Sequence, residues 1–174
     1  MPDLTFNTTA GQTIDRELLV VYLNTGSSSS PTWSPLGKRV EDSSVAYDFD
    51  SETIRDILGN TYGTLKKPTL TQELDPWPFD GGDAAQVKLW NLAVKDHDVA
   101  ALSALDMLVV HWYAGTSSSP FAERYDSCMI DMSEIGGEGG AEITGSFTVT
   151  YGGTRTTGTV TKGTGGVITF TADQ

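Results

Sequence analysis

Residues 69–94 read TLTQELDPWPFDGGDAAQVKLWNLAV, a strand, two prolines, a turn and a helix in one short run. Thr69, Thr71, Glu73 and Asp75 share one face of a strand whose other face is apolar. Pro76 and Pro78 cannot donate to a ladder, so the strand is predicted to stop there. Gly81-Gly82 read as a turn, and Asp83 with Gln86 has the spacing of a capping box. Ala85, Leu89 and Leu92 then fall on one helical stripe, widened by Trp90 and Val94, which predicts a helix over about Asp83–Lys95. Such a corner is architectural. It clips one helix onto a sheet.

Outward from this corner, most of the chain alternates rather than turning at helical period. In VAYDFD, Val45, Tyr47 and Phe49 lie on one face, while Asp48 and Asp50 share the other with Glu52. From Ala141 to Tyr151, Ala141, Ile143, Phe147, Val149 and Tyr151 point one way and Glu142, Thr144, Ser146, Thr148 and Thr150 the other. Leu18–Leu23 and Met107–Tyr113 are apolar on both faces and read as central strands; Phe121–Met132 is a further long strand. The stretch from Gly136 to Gly166 holds 11 of the 19 glycines and much threonine, and it reads as hairpins turning at Gly152-Gly153 and Gly163–Gly166. LVVYLNTGSSSSP (Leu19–Pro31) and LVVHWYAGTSSSP (Leu108–Pro120) match without a gap at eight positions. Either a pseudo-symmetric pair of strands or convergence of two similar turns accounts for this.

The chain of 174 residues suits one domain with a real core. Its 38% hydrophobic and 20% charged content is that of a globular protein, and a net charge of −12 opposes binding to nucleic acid by phosphate neutralisation. Cys128 is the single cysteine, so no internal disulfide forms. The start, MPDLT, lacks the basic and apolar regions of a signal peptide. No apolar run approaches bilayer length. The expectation is a protein made in a cytoplasm, without membrane insertion.

Candidate chemistry is sparse. The serine clusters are flexible runs with no Gly-x-Ser-x-Gly, and only His97 and His111 offer imidazole bases. His111 sits in an apolar strand and reads as a satisfied core residue. Two histidines and one cysteine without paired spacing do not make a zinc site. Asp48-x-Asp50-x-Glu52 opens like a calcium loop, but Thr53 stands where glycine is required and Gly59 where the bidentate acid belongs. No metal, cofactor or catalytic residue is expected, although the 23 acids offer many pairs to a sugar hydrolase. The acids that align on strand faces, Asp48, Asp50, Glu73 and Asp75, describe a sheet whose outer side repels anions.

Taken in order, the strand and soft loop YLNTGSSSSPTWSPLGKRVEDSS, the run VAYDFDSETIRDILGNTYGTLKKP leading into the corner, the strands DMLVVHWY and FAERYDSCMIDM, and the Gly-rich SEIGGEGGAEITGSFTVTYGG resemble the major tail tube proteins of long, flexible-tailed bacteriophages (siphophages). The likeness is strongest to those of phages infecting Gram-positive bacteria and spans roughly Leu18–Gly153. It implies a mainly β fold, a β-sandwich or barrel with one flanking helix. It also implies rings of six subunits whose inner sheets join into one continuous barrel, stacked into a hollow tube in the virion. The same fold occurs in the inner tubes of contractile tails and type VI secretion machines. Implied partners are further copies of the chain, a tape-measure protein, the tail terminator, the distal tail or baseplate proteins, and double-stranded DNA in transit. Residues 1–17 would be an N-terminal arm and 154–174 an added C-terminal hairpin. Strands near Val45–Asp50, Thr64–Leu74, Met107–Tyr113 and Phe121–Met132 would form the lumen wall, with Asp48, Asp50, Glu73 and Asp75 facing the bore. Asp50–Gly63 would be a long loop reaching the next ring, ordered only there, with Ile54, Ile57 and Leu58 buried against the neighbour.

A second reading is a carbohydrate-binding or adhesion sandwich, in which exposed Trp33, Trp77 and Trp112 stack on sugars.

Overall fold

The computed structural model describes residues 4–173. Its strands are β1 (Leu19–Asn24), β2 (Trp33–Pro35), β3 (Val45–Asp48), β4 (Ser51–Arg55), β5 (Thr61–Leu65), β6 (Thr69–Pro78), β7 (Leu105–Thr116), β8 (Ser119–Gly136), β9 (Thr144–Tyr151), β10 (Arg155–Lys162) and β11 (Ile168–Ala172). The main helix is α1 (Ala84–Trp90), continued by a π-helical turn over Asn91–Lys95 and followed by a short α2 (Val99–Leu102). The fold is the expected mainly β one with a flanking helix.

Two layers arise because β8 belongs to both. It pairs with β7 on one side as far as Cys128 and with β10 on the other as far as Tyr125; from Met129 it pairs with β9. One layer runs β2-β1-β7-β8-β10-β11 and the second β8-β9-β6-β3, all antiparallel. Between them lie Leu23, Met107 and Val109 from the first layer and Leu74, Trp77, Phe147 and Val149 from the second, with Ala85 and Leu89 of α1 closing one flank. The alternation in β9 has the phase read from the sequence: Phe147, Val149 and Tyr151 are buried and Thr144, Ser146, Thr148 and Thr150 half-buried on the opposite face. The doubly apolar strands β1 and β7 are central because a second core covers their other side. There Tyr22, Leu108, Val110 and Ala122 pack with Val160 of β10 and Ile168 of β11, so the last hairpin shields apolar strand faces that water would otherwise reach.

The matching segments lie side by side. Leu19 pairs with His111, Val20 with Val110, Val21 with Val109 and Tyr22 with Leu108. Leu19 therefore meets the equivalent of Tyr22, and Tyr22 the equivalent of Leu19, as a local two-fold axis requires. Both strands then turn into hairpins, β1 into β2 and β7 into β8.

The corner departs from its reading in two respects, the end of β6 and the place of Trp90. β6 does not stop before the prolines but runs to Pro78, with a register shift between Leu74 and Trp77 and a cis bond at Asp75–Pro76. Prolines are tolerated at such a bulge, where the ladder is already interrupted. Asp83 caps α1 as expected, its Oδ1 accepting from Ala85 N at 2.9 Å and Gln86 N at 3.2 Å. Gln86 is buried and reaches further back than a capping box requires. Its Nε2 donates to Pro78 O at 2.7 Å and its Oε1 accepts from Asp80 N at 2.6 Å. The helix is thus tied directly to the end of β6. Trp90 does not widen the core stripe; it is 38% exposed, because the stripe through Ala85 and Leu89 already fills the gap beneath α1.

The largest departure is at Asp50–Gly63, expected as an irregular loop. It is mostly a β-hairpin: β4 and β5 pair from Ser51–Leu65 to Arg55–Thr61 as a separate two-stranded ribbon. The expected wall strand Thr64–Leu74 is accordingly divided, Thr64 and Leu65 belonging to the ribbon and Thr69 onward to the sandwich.

Candidate functional site

Three surfaces bear on function. The first is the outer face of the layer β3-β6-β9-β8. Cross-strand partners share a face, so the pairs Asp48–Thr69, Glu73–Thr148 and Thr148–Asp131 put Asp48, Glu73 and Asp131 together on it. Glu73 and Asp131 flank Thr148, two strand spacings or roughly 10 Å apart. Asp75 joins them, accepting from Ser146 Oγ at 2.6 Å, and Glu134 pairs opposite the same Ser146. None of the strand residues 45–48, 69–78, 129–136 and 144–151 is Lys or Arg. The face is acidic, threonine-rich and free of cations. Sequence reading found Asp48, Glu73 and Asp75 but missed Asp131 and Glu134, whose strand carries its own polar alternation after Ile130. Asp50 is not on the strands that form this face. It lies between β3 and β4 with its Oδ2 accepting from Lys66 Nζ at 2.6 Å, because β3 ends at Asp48 and the alternation is broken before Asp50.

The second surface is the β4–β5 ribbon. All residues of both strands are exposed. Asp56 builds the tip: its Oδ1 accepts from Leu58 N at 2.9 Å and Asn60 N at 2.8 Å, its Oδ2 from Asn60 Nδ2 at 3.0 Å, and Gly59 turns the chain at φ +87°. Hydrogen bonds from Asn60 first, then from Leu58 and Tyr62, hold the Asp56 carboxyl below its ordinary pKa. Ile57 and Leu58 stand at the tip, 103% and 81% exposed, and Ile54 and Tyr62 form an exposed cross-strand pair behind them.

The third is a cluster around Glu123. This buried carboxylate receives Arg155 Nε at 2.7 Å, Tyr125 OH at 2.7 Å and His111 Nε2 at 3.1 Å, while His111 Nδ1 meets Tyr113 OH at 2.9 Å. Burial alone would push the Glu123 carboxyl up, but the hydrogen bonds from His111, Arg155 and Tyr125 together hold it down at about 2. Burial and then Glu123 push the Tyr125 phenol up. His111 is the satisfied core residue the sequence suggested, and the cluster fastens β10 to β8 through Arg155. Burial likewise pushes the Cys128 thiol up to about 12, the state of an inert core cysteine. Among the described residues no group of three His, Cys, Asp or Glu side chains is arranged to hold a metal, and no helix is long and apolar enough to cross a membrane.

The tryptophans proposed as sugar platforms are not exposed. Trp77 is fully buried, its Nε1 donating to Lys38 O at 3.1 Å and its ring edge-on to Phe147. Trp33 is buried under the guanidinium of Arg124, which Asp106 clamps with two 2.8 Å bonds. Trp112 is half-buried against the second core. Each fills a core edge where an aromatic ring gains most from leaving water.

No protein-family model matches the sequence, and no curated protein matches it. Solved structures do. A chain of the PVC sheath-tube complex of an extracellular contractile injection system, in the extended state, matches at TM-score 0.49 and 9% identity, over 87% of this chain and 95% of that one. A chain of the anti-feeding prophage cap, the AFP tube-terminating cap, matches at 0.47 and 12%, over 88% and 95%. A chain of the PVC sheath/tube terminator in the extended state matches at 0.53 and 8%, over 86% of this chain and 99% of that one. This last likeness shows a fold in common: the β-sandwich built here is similar to one found in a contractile injection system's terminator.

Proposed function

We propose that the chain is a structural subunit of a phage-type tail, assembling with copies of itself into hexameric rings that stack into a hollow tube for DNA delivery. The observation that carries this reading is the β4–β5 ribbon. Two-stranded ribbons are marginal alone, and the described residues leave Ile54, Ile57, Leu58 and Tyr62 exposed, so a neighbouring subunit is their natural cover. Ring closure has its edges ready. Among the described residues no strand pairs with the outer edge of β3 or, beyond the Leu105–Cys128 pair, with the edge of β8 over Met129–Gly136. Pairing the two head to tail gives a cyclic interface and removes the exposed ladders from solvent. The acidic face of the same four strands then lines the bore, where the absence of Lys and Arg leaves sliding phosphates nothing to condense on.

A subunit that closes the tube's end is the second reading, favoured by the match over 99% of the terminator chain. Negative-stain microscopy of the purified protein over a concentration series tests both. Stacked tubes support the tube subunit and single closed rings the terminator. A monomer at every concentration that binds glycans overturns both in favour of an adhesion module.

A further inference from the structure

At the end of the sandwich from which the ribbon projects, the two layers part. There β9 crosses to β10 through Gly152-Gly153, and the gap leaves a cavity of about 650 Å³. Its walls are aromatic, from Tyr47, Phe49, Tyr125 and Tyr151, and its charged groups are Lys67 and Arg155, the latter ion-paired with Glu123. Tyr47 and Phe49 are about half exposed, which leaves the cavity wet in the free subunit. Lys67 has no ion-pair partner among the described residues. Arg155 bonds Glu123 through Nε at 2.7 Å, with its side chain about half exposed at the cavity edge. On a chain of net charge −12, an aromatic cavity that holds two cations against the single carboxylate of Glu123 is a site for an acidic segment with apolar anchors.

The same chain carries such a segment at its other end. β6, β8 and β9 run the length of the second layer, so the turn from β8 to β9 lies opposite the cavity, roughly 25 Å away for eight residues of strand. This turn, residues 137–143, is wholly exposed, and it carries Glu138, Glu142 and, at 58% exposure, Ile143. An Ala141 N–Glu138 O bond at 3.1 Å already shapes it. We propose that the β8–β9 turn of one copy docks in the aromatic cavity of the next, Ile143 entering between Tyr47 and Phe49 and the two glutamates meeting Lys67 and Arg155. This rests on the stacked-tube reading and gives it a second axial contact, separate from the ribbon. Copies stacked in one orientation bring these two ends together by translation alone.

The test is a cysteine pair, Phe49→Cys with Ile143→Cys, beside charge variants of the full chain. Cys128 is fully buried and does not compete. The expected result is a ladder of disulfide-linked multimers that needs both cysteines. Lys67→Glu should raise the concentration required for assembly about fivefold, the size of one rim charge pair, and adding Glu142→Lys should restore it. Melting temperatures of the dilute variants confirm that each is folded. Normal tubes with no cross-link, or with Lys67→Glu assembling like the parent, overturn this contact while leaving the tube reading intact. A disulfide-linked dimer from Phe49→Cys alone overturns it too, since that joins two cavities. A parent that never assembles overturns both.

Discussion

The sharpest test of the ribbon is the double substitution Ile57→Ser, Leu58→Ser. In the free subunit both side chains lie in water, and the Asp56 turn bonds the backbone N–H of Leu58 rather than its side chain, so the tip should keep its shape. Exposed substitutions of this kind stay within about 0.5 kcal/mol, or less than about 2 °C in melting temperature for a chain of this size. Assembly is another matter. Burying an Ile or Leu side chain is worth about 1.5–3 kcal/mol; the lower figure, for a tip that packs on one side only, gives about 3 kcal/mol for the pair. That corresponds to roughly a 150-fold loss in the association constant of each contact. Thermal melting of the dilute protein, with sedimentation velocity across a concentration series, measures both quantities. If the variant assembles at the parent's concentration, the ribbon is not a stacking element. A melting point several degrees lower would show that the tip packs on its own subunit instead.

Glu123→Gln addresses the fastening of β10. Because the folded carboxyl titrates at about 2 against an ordinary 4.5, its contribution of about 3 kcal/mol is whole above pH 4.5 and fades as the pH falls toward 2. Urea melts should show the parent losing that stability over this window and the variant, already weaker at pH 7, losing less; parallel curves would refute it. Glu73→Lys with Asp131→Lys should leave the fold unchanged, since both residues are exposed, yet give assembled tubes a DNA affinity whose logarithm falls with the logarithm of salt. Anisotropy with labelled duplex measures this, and no gain in binding would remove the two acids from the bore. Trp77→Ala should cost about 3–5 kcal/mol in denaturant unfolding, whereas Trp90→Ala, at a half-exposed site, should cost under about 1 kcal/mol; equal losses would contradict the packing beneath α1.

The β-rich sandwich was legible because burial writes itself into alternation. Phe147, Val149 and Tyr151 announce β9, and Asp83, Ala85 and Leu89 announce α1, since each set answers to a single buried face. The ribbon left no such mark. Both its faces are wet, so β4 and β5 carry no binary pattern, and the Asp56–Gly59 turn looks like any flexible stretch. The prolines misled for a related reason: their cost depends on whether the ladder is intact at that point, and the bulge after Leu74 is not visible in residue types. The acidic face was half legible, because Asp48 and Glu73 alternate locally while their meeting with Asp131 depends on strand order. The tryptophans were misjudged as exposed because ring size says nothing of which side of a sheet the ring meets.

The sharing of β8 between layers has a mechanical side. Its 18 residues span roughly 60 Å of continuous backbone, and one layer grips its first part while the other grips its second. Shearing one layer past the other would have to stretch covalent bonds rather than slide packed side chains. The subunit is therefore stiff along that axis. In the proposed tube, bending would fall to the seams between subunits, while each sandwich would travel as a rigid brick.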